Sequence, residues 1–207
     1  NDTILLDPNK TSDTIARTIQ NCQVIYKASP IAIMKAVKND TQIAGVRNAM
    51  VRDGVALVKL YMWLEENAPK GNFTEMDVAE KLIEFRKASP LYVGESFGMI
   101  AGYKEHGAIV HYEADEKSAS TISAEGMLLI DTGAQYLDGT TDITRTISLG
   151  KTTDEERHDY TLVLKGHLTL GHAIFPTGTR GSQLDALARQ FLWKECKTYW
   201  HGTGHGV

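Results

Sequence analysis

Positive charge is in short supply. Against 26 Asp and Glu stand only 22 Lys and Arg, a formal net charge of −4, which argues against a nucleic-acid binder working through a basic footprint. Cysteine is scarcer still. Cys22 and Cys196 are the only two and lie far apart, so the chain has no disulfide framework and no zinc knuckle. Both read as buried free thiols of a reducing compartment, which makes a cytoplasmic location the expectation. No apolar run approaches the roughly 18 residues that a membrane span needs. Internal repeats and low-complexity tracts are also missing. What remains, 42% hydrophobic and 23% charged residues, suffices for a buried core and excludes general disorder.

The 207 residues suit one domain, or one domain plus part of another. The chain opens at Asn1 without Met and closes at Val207, directly behind a glycine-rich stretch with two histidines. Such ends read as those of an internal fragment, with any targeting segment outside it. Asn-x-Ser/Thr sequons begin at Asn1, Asn9, Asn39 and Asn72 and read as chance matches to a weak motif.

The pattern predicts short strands at 3–7 and 23–26 with a helix-compatible stretch between them, a βαβ-like remnant. Ser29-Pro30 marks a boundary. A long amphipathic helix over about 40–66 follows, with Ile43, Val46, Met50, Leu57, Tyr61 and Leu64 on its apolar face. Thr74-x-x-Asp77 and Thr153-x-x-Glu156 read as capping boxes, opening helices to about Lys87 and Ile174. A further helix starts at Ser182-x-x-Asp185. Strand character lies between, at 92–102, 107–112, 127–130 and 143–148. Helices, then strands, then helices indicate an α+β fold.

Two constellations could carry chemistry. Asp131 ends the apolar run Met127–Ile130, and Asp142 follows eleven residues later. On one straight strand they would be about 36 Å apart, at roughly 3.3 Å per residue. They can cooperate only if the chain folds back, which Gly133 and Asp138-Gly139 permit, so 127–131 and 141–148 are expected to pair antiparallel. Paired carboxylates repel unless a cation or a shared proton lies between them, which leaves a metal site and an aspartic dyad both open. The second constellation is His201-Gly-Thr-Gly-His205, too rich in glycine for a zinc-binding helix. Extended, it holds the two imidazoles about 13 Å apart, so only one of them can bind a given ion. His111 ends the 107–112 strand. His106, His158, His167 and His172 show no carboxylate pattern and receive no role. No Ser-His or Cys-His arrangement is apparent.

These residues carry a resemblance. Ser29-Pro-Ile with Lys35-Ala and Lys38-Asn39, Gly107–Tyr112, Asp131–Thr146, Leu184–Arg189 and His201–Val207 together resemble Xaa-Pro aminopeptidase, the aminopeptidase P branch of the pita-bread metallopeptidases. The 131–146 stretch is the most specific. The resemblance implies an α+β pita-bread fold with its C-terminal half largely outside this chain. Residues 1–28 would be the tail of a preceding creatinase-like domain, and 29–207 the N-terminal part of the catalytic domain. It implies removal of the N-terminal residue from peptides with proline in second position, by a hydroxide held on a dinuclear metal centre. Two divalent ions, Mn²⁺ first with Zn²⁺ or Co²⁺ as substitutes, would be held by Asp131, Asp142 as the bridge, and His205. His111 and His201 would contact substrate and help move protons. Two glutamates and a further histidine would come from sequence beyond Val207, so the fragment by itself is expected to be inactive. A full-length homodimer, peptide substrates, no nucleic acid and no membrane complete the expectation. Phe97–Ile100 departs from the usual text of these enzymes.

Rival readings keep part of the same chemistry. A prolidase or a methionine aminopeptidase shares the fold. A pita-bread binding module that has lost catalysis would lack the ligands retained here. Leu129-Ile-Asp-Thr-Gly-Ala134 also fits an aspartic peptidase, whose mechanism needs a second such aspartate in an almost all-β body.

Overall fold

The computed structural model describes residues 2–206. Asn1 and Val207, the ends of the first sequon and of the glycine-rich motif, lie outside the described residues. The chain forms two compact units, Asn1–Gly45 and Val46–Val207.

The first unit holds β1 (Thr3–Leu6), α1 (Asp13–Thr18), β2 (Gln23–Tyr26), α2 (Pro30–Ala36) and the start of α3 (Asp40–Asn67). β1 and β2 pair in parallel, Thr3 opposite Gln23, so the βαβ expectation holds. The helix α2 is an addition. Ser29 accepts at its Oγ from Ile31 N, and Pro30 occupies the first turn. A proline there loses no needed donor and has its φ already set for a helix, so Ser29-Pro30 opens a helix as well as ending an extended stretch.

The second unit continues along α3 to β3 (Phe73–Thr74), α4 (Glu75–Lys87), β4 (Tyr92–Glu95), β5 (Ile100–Tyr103), β6 (Thr121–Ile122), β7 (Met127–Thr132), β8 (Ala134–Tyr136), β9 (Gly139–Thr140), β10 (Ile143–Ser148), α5 (Asp154–Gly171) and α6 (Gly181–Trp193). Its main sheet has the order β10-β7-β5, with a second sheet β4-β8-β9. Both expected capping boxes form, at Thr74 with Asp77 and at Thr153 with Glu156.

One face of the main sheet is the core. Leu128 and Ile130 of β7 and Ile143 of β10 pack with Ala56, Leu57, Leu60 and Leu64 of α3 and Val78 and Leu82 of α4. Each fully buried large aliphatic side chain among them contributes about 1.5–3 kcal/mol of transfer free energy. The other face alternates outward through Met127, Leu129 and Asp131, all half-buried.

Four expectations need correction. The buried stripe of α3 runs through Ala49, Asp53, Ala56, Leu57, Leu60 and Leu64, while Ile43 and Met50 are exposed. The period was right and the phase partly wrong, because an aspartate holds a core position. The 92–102 stretch is two strands in different sheets, β4 on β8 and β5 on β7. The 107–112 stretch is no strand. Residues 104–108 form a 3₁₀ turn, and Ile109 and Val110 are exposed. That turn folds straight back on β5: a Cβ on Gly102 would lie 2.7 Å from the Gly107 backbone, an approach open only to glycine. Cys22 and Cys196 are free as expected, but Cys22 is half-buried and Cys196 exposed, the latter at a left-handed φ of 56° in the turn behind α6.

Candidate metal centre

β7 and β10 pair antiparallel, as expected, with Asp131 opposite Thr144 and Thr132 opposite Ile143. Residues two apart on a strand share a face. Thr144, opposite Asp131, therefore shares its outward face, and Asp142, two before Thr144 and directly ahead of β10, continues that side of the strand. Asp131 lies on the central strand, flanked by Ile100 of β5 on the other side. Its Oδ1 is buried and finds no hydrogen-bond partner among the described residues. A carboxylate oxygen so placed costs free energy unless something cationic or protonated meets it.

Between the two aspartates the chain breaks from β7 into β8 at Gly133 and reverses at Leu137-Asp138. A Cβ on Gly133 would stand 2.2 Å from both Ser96 Oγ and the Thr141 carbonyl oxygen. Ser96 ties the corner together, its N–H donating to Gly133 O at 3.0 Å and its hydroxyl to Thr141 O at 3.0 Å. The corner is also where the chain passes from one sheet into the other.

His205 reaches the same place from the far end of the unit. Its Nε2 lies 3.4 Å from Asp142 Oδ2, while its Nδ1 bonds the Gly206 carbonyl at 3.0 Å. A carbonyl only accepts, so Nδ1 carries the proton. Nε2 is left to meet the carboxylate oxygen, and that meeting calls for a proton or a cation between the two atoms. Hard oxygen donors with one imidazole suit Mn²⁺ and tolerate Zn²⁺ or Co²⁺, so the residues present fit a divalent cation as a partial donor set. Among the described residues, no three His, Cys, Asp or Glu side chains gather closely enough to hold a metal ion by themselves.

The two remaining candidates stand apart from this cluster. His201 is exposed, stacks on Tyr199 with ring centroids 4.7 Å apart, and bonds Gly202 O through Nδ1 at 2.8 Å. Its loop is anchored by α6. Arg189 pairs with Asp185 at 2.7 Å and donates to Tyr199 O at 2.6 Å and His201 O at 2.8 Å. Thr203 donates its hydroxyl to Asp185, whose carboxyl is held below the usual range by the Arg189 hydrogen bond and then by that of Thr203. The Asp185 expected to cap α6 instead anchors this loop, and α6 starts one residue earlier, at Gly181. His111 is exposed at a left-handed φ of 56° and makes no hydrogen bond or ion pair among the described residues.

Two features escaped the sequence reading. Glu75, fully buried, accepts from Tyr103 N (2.7 Å), Tyr112 Oη (2.9 Å) and Ser120 N (2.8 Å), and meets His106 Nδ1 at 2.9 Å. This holds both ends of the segment that carries His111. The other is a bidentate ion pair between Arg86 and Asp53, with no exposed side-chain surface on either. Neither is local in sequence. A carboxylate at a core phase of α3 and a buried arginine on α4 were the only available signals.

The model of metallopeptidase family M24 matches residues 44–207. A protein of Aspergillus niger named "Probable Xaa-Pro aminopeptidase P" is 50% identical over 187 residues, 89% of this chain and 30% of that one. "Aminopeptidase P2" of Arabidopsis thaliana is 44% identical over 199 residues, 96% of this chain and 28% of that one. The X-prolyl aminopeptidase of Caenorhabditis elegans, described as "a cytosolic enzyme with a di-nuclear active site", superposes with a TM-score of 0.84 at 41% identity, covering 89% of this chain and 30% of that one. The fold is therefore the pita-bread fold, and the chain spans about 30% of the length of these relatives.

Proposed function

Because the chain belongs to metallopeptidase family M24, we propose that the protein containing it is an Xaa-Pro aminopeptidase, removing the N-terminal residue from peptides with proline in second position. The observation that carries this reading is His205 Nε2 standing 3.4 Å from Asp142 Oδ2, near Asp131 with its unpartnered buried oxygen. Family membership displaces the aspartic-peptidase reading of Asp131-Thr-Gly-Ala. Retention of these three side chains argues against a module that has lost catalysis.

In this reading Asp131, Asp142 and His205 would hold two divalent ions, Mn²⁺ foremost, together with two glutamates from outside this chain. Such ions would supply Lewis acidity for peptide hydrolysis. His201 presents Nε2 from a stacked, anchored ring, suited to contacting the peptide and passing a proton at the departing nitrogen. His111 plays the companion part from its turn. The imino nitrogen of a proline in peptide linkage has no proton to donate, so the site selects it by ring shape. With three of the five expected ligands, the 207-residue chain is by itself inactive. Residues 1–28 belong to a preceding creatinase-like domain and 29–207 to the catalytic domain. The full-length enzyme is a cytoplasmic homodimer.

The test is cleavage by the full-length protein of matched peptides, Xaa-Pro-Yaa against Xaa-Ala-Yaa and the dipeptide Xaa-Pro, before and after chelation and Mn²⁺ return. Cleavage of the first alone, lost on chelation and restored by Mn²⁺, is expected. Exclusive cleavage of the dipeptide would move the protein to the prolidases, and pepstatin sensitivity with chelator insensitivity would overturn the metal reading.

A further inference from the structure

The ion pair between Asp53 and Arg86 sits on the core side of the sheet, behind both aspartates. Arg86 Nε and Nη2 meet the two oxygens of Asp53 at 2.7 and 3.0 Å. Its remaining nitrogen, Nη1, donates to Thr132 Oγ1 at 2.8 Å, to Gly133 O at 3.3 Å, and to the carboxylate of Glu95. Asp53 Oδ2 accepts from Thr141 Oγ1 at 2.6 Å, and Asp53 Oδ1 from Tyr136 Oη at 3.1 Å. Thr141 Oγ1 in turn accepts from Ala134 N at 2.9 Å. Arg86, Asp53, Thr132 and Thr141 are all within 1% of full burial.

Thr132 directly follows Asp131, and Thr141 directly precedes Asp142. Neighbouring residues on an extended chain point to opposite faces. Drawing both threonine side chains inward onto one rigid pair therefore turns both aspartates outward. It also sets how far apart they stand. Stability alone is a poor reason for such a network, since a buried ion pair is often matched or bettered by apolar side chains of similar volume. A fixed geometry is a better one. Two carboxylates on one face repel, and without a support behind them they would splay until a cation arrived, lowering its affinity by the work of drawing them back.

We infer that Thr132 and Thr141, held by the buried Asp53–Arg86 pair, are positioning residues that set the spacing of Asp131 and Asp142 for a pair of divalent ions. The inference rests on the metal-centre reading above and goes beyond it by assigning a task to side chains that touch neither ion nor substrate.

The experiment is a Mn²⁺ titration of the full-length protein, freed of metal, followed by electron paramagnetic resonance and calorimetry, with the melting temperature of each metal-free variant recorded. Thr141→Val removes the hydroxyl that bridges Asp53 and Ala134, and Thr141→Ser keeps it. Loss of a group behind the ligands lowers metal affinity about 10–100-fold. Thr141→Val is expected to bind Mn²⁺ at least about tenfold more weakly, with a reduced exchange-coupled signal, while Thr141→Ser recovers both. Thr132→Val tests the Arg86 end in the same way and serves where Thr141→Val does not fold. Wild-type protein that binds no Mn²⁺ would overturn the metal reading and this inference together. Wild-type binding with unchanged affinity in the valine variants, whatever their melting temperature, would overturn this inference alone. Serine as weak as valine would do the same.

Discussion

His205 Nε2 and Asp142 Oδ2 stand 3.4 Å apart, although one belongs to the glycine-rich segment behind α6 and the other directly precedes β10. The companion histidine of that segment faces elsewhere, stacked on Tyr199. In the proposed reading the two imidazoles divide their work, and substitution separates them. In the full-length protein His205→Ala is expected to lower metal content together with activity, because it removes a donor. His201→Ala is expected to keep metal content and lose turnover, by about 10²–10⁴-fold if it moves a proton. Metal analysis beside kcat checks both. Loss of stoichiometric metal in the His201 variant would reverse the two assignments.

Gly133→Ala places a methyl group 2.2 Å from Ser96 Oγ and the Thr141 carbonyl. Ser96 can rotate, but the carbonyl is backbone and cannot yield without moving Asp142. The expected loss is at the upper end of the 1–3 kcal/mol typical of overpacking, roughly 6–12 °C in melting temperature for a unit of this size. Thermal denaturation followed by circular dichroism measures it. An unchanged melting temperature would mean that the corner relaxes freely and does not fix the two aspartates.

The contrast between these residues and those behind them explains what could be read beforehand. Antiparallel pairing of β7 with β10 was legible because a fold-back was the only route that joins Asp131 to Asp142, and Asp138-Gly139 marked the turn. The helices at Thr74 and Thr153 were legible because capping boxes are local. Asp53 was not, because a carboxylate on an amphipathic helix reads as solvent-facing unless its partner is known, and Arg86 lies on another helix. His106 went unassigned for the same reason, since Glu75 precedes it on a separate element. The 107–112 stretch failed differently: its apolar run has strand composition, yet the close approach of Gly102 and Gly107 turns it out of the sheet.

Glu75 is the hub of that second cluster. It is fully buried and accepts from two backbone N–H groups and the Tyr112 hydroxyl, with His106 beside it. Glu75→Gln changes little volume but replaces an acceptor oxygen by an NH₂ group, so at least one buried donor loses its partner at about 1–3 kcal/mol. The expected consequence is local. Hydrogen exchange should quicken across 103–120, including the turn at His111, while the β7–β10 ladder stays protected. Uniform acceleration through the whole unit would instead make Glu75 a general stability determinant.

The anchor of the His201 loop carries its own pH dependence. Asp185 is held below the usual carboxylate range, first by its hydrogen bond with Arg189 and then by that with Thr203. A carboxyl whose folded value is depressed contributes stability that is fully present above its unfolded value, and loses it as pH falls through the folded one. The anchor should therefore be intact at neutral pH and through the ordinary aspartate range, and release the loop only in stronger acid. Amide resonances of Tyr199 and Thr203 followed by NMR during acid titration report the release. Asp185→Asn removes the charge that draws Arg189 in, so the same resonances should show a loosened loop already at neutral pH and no acid transition of their own. A wild-type transition at or above the ordinary aspartate value would show that the carboxylate is not held by Arg189, and that the loop bearing His201 takes its position from elsewhere.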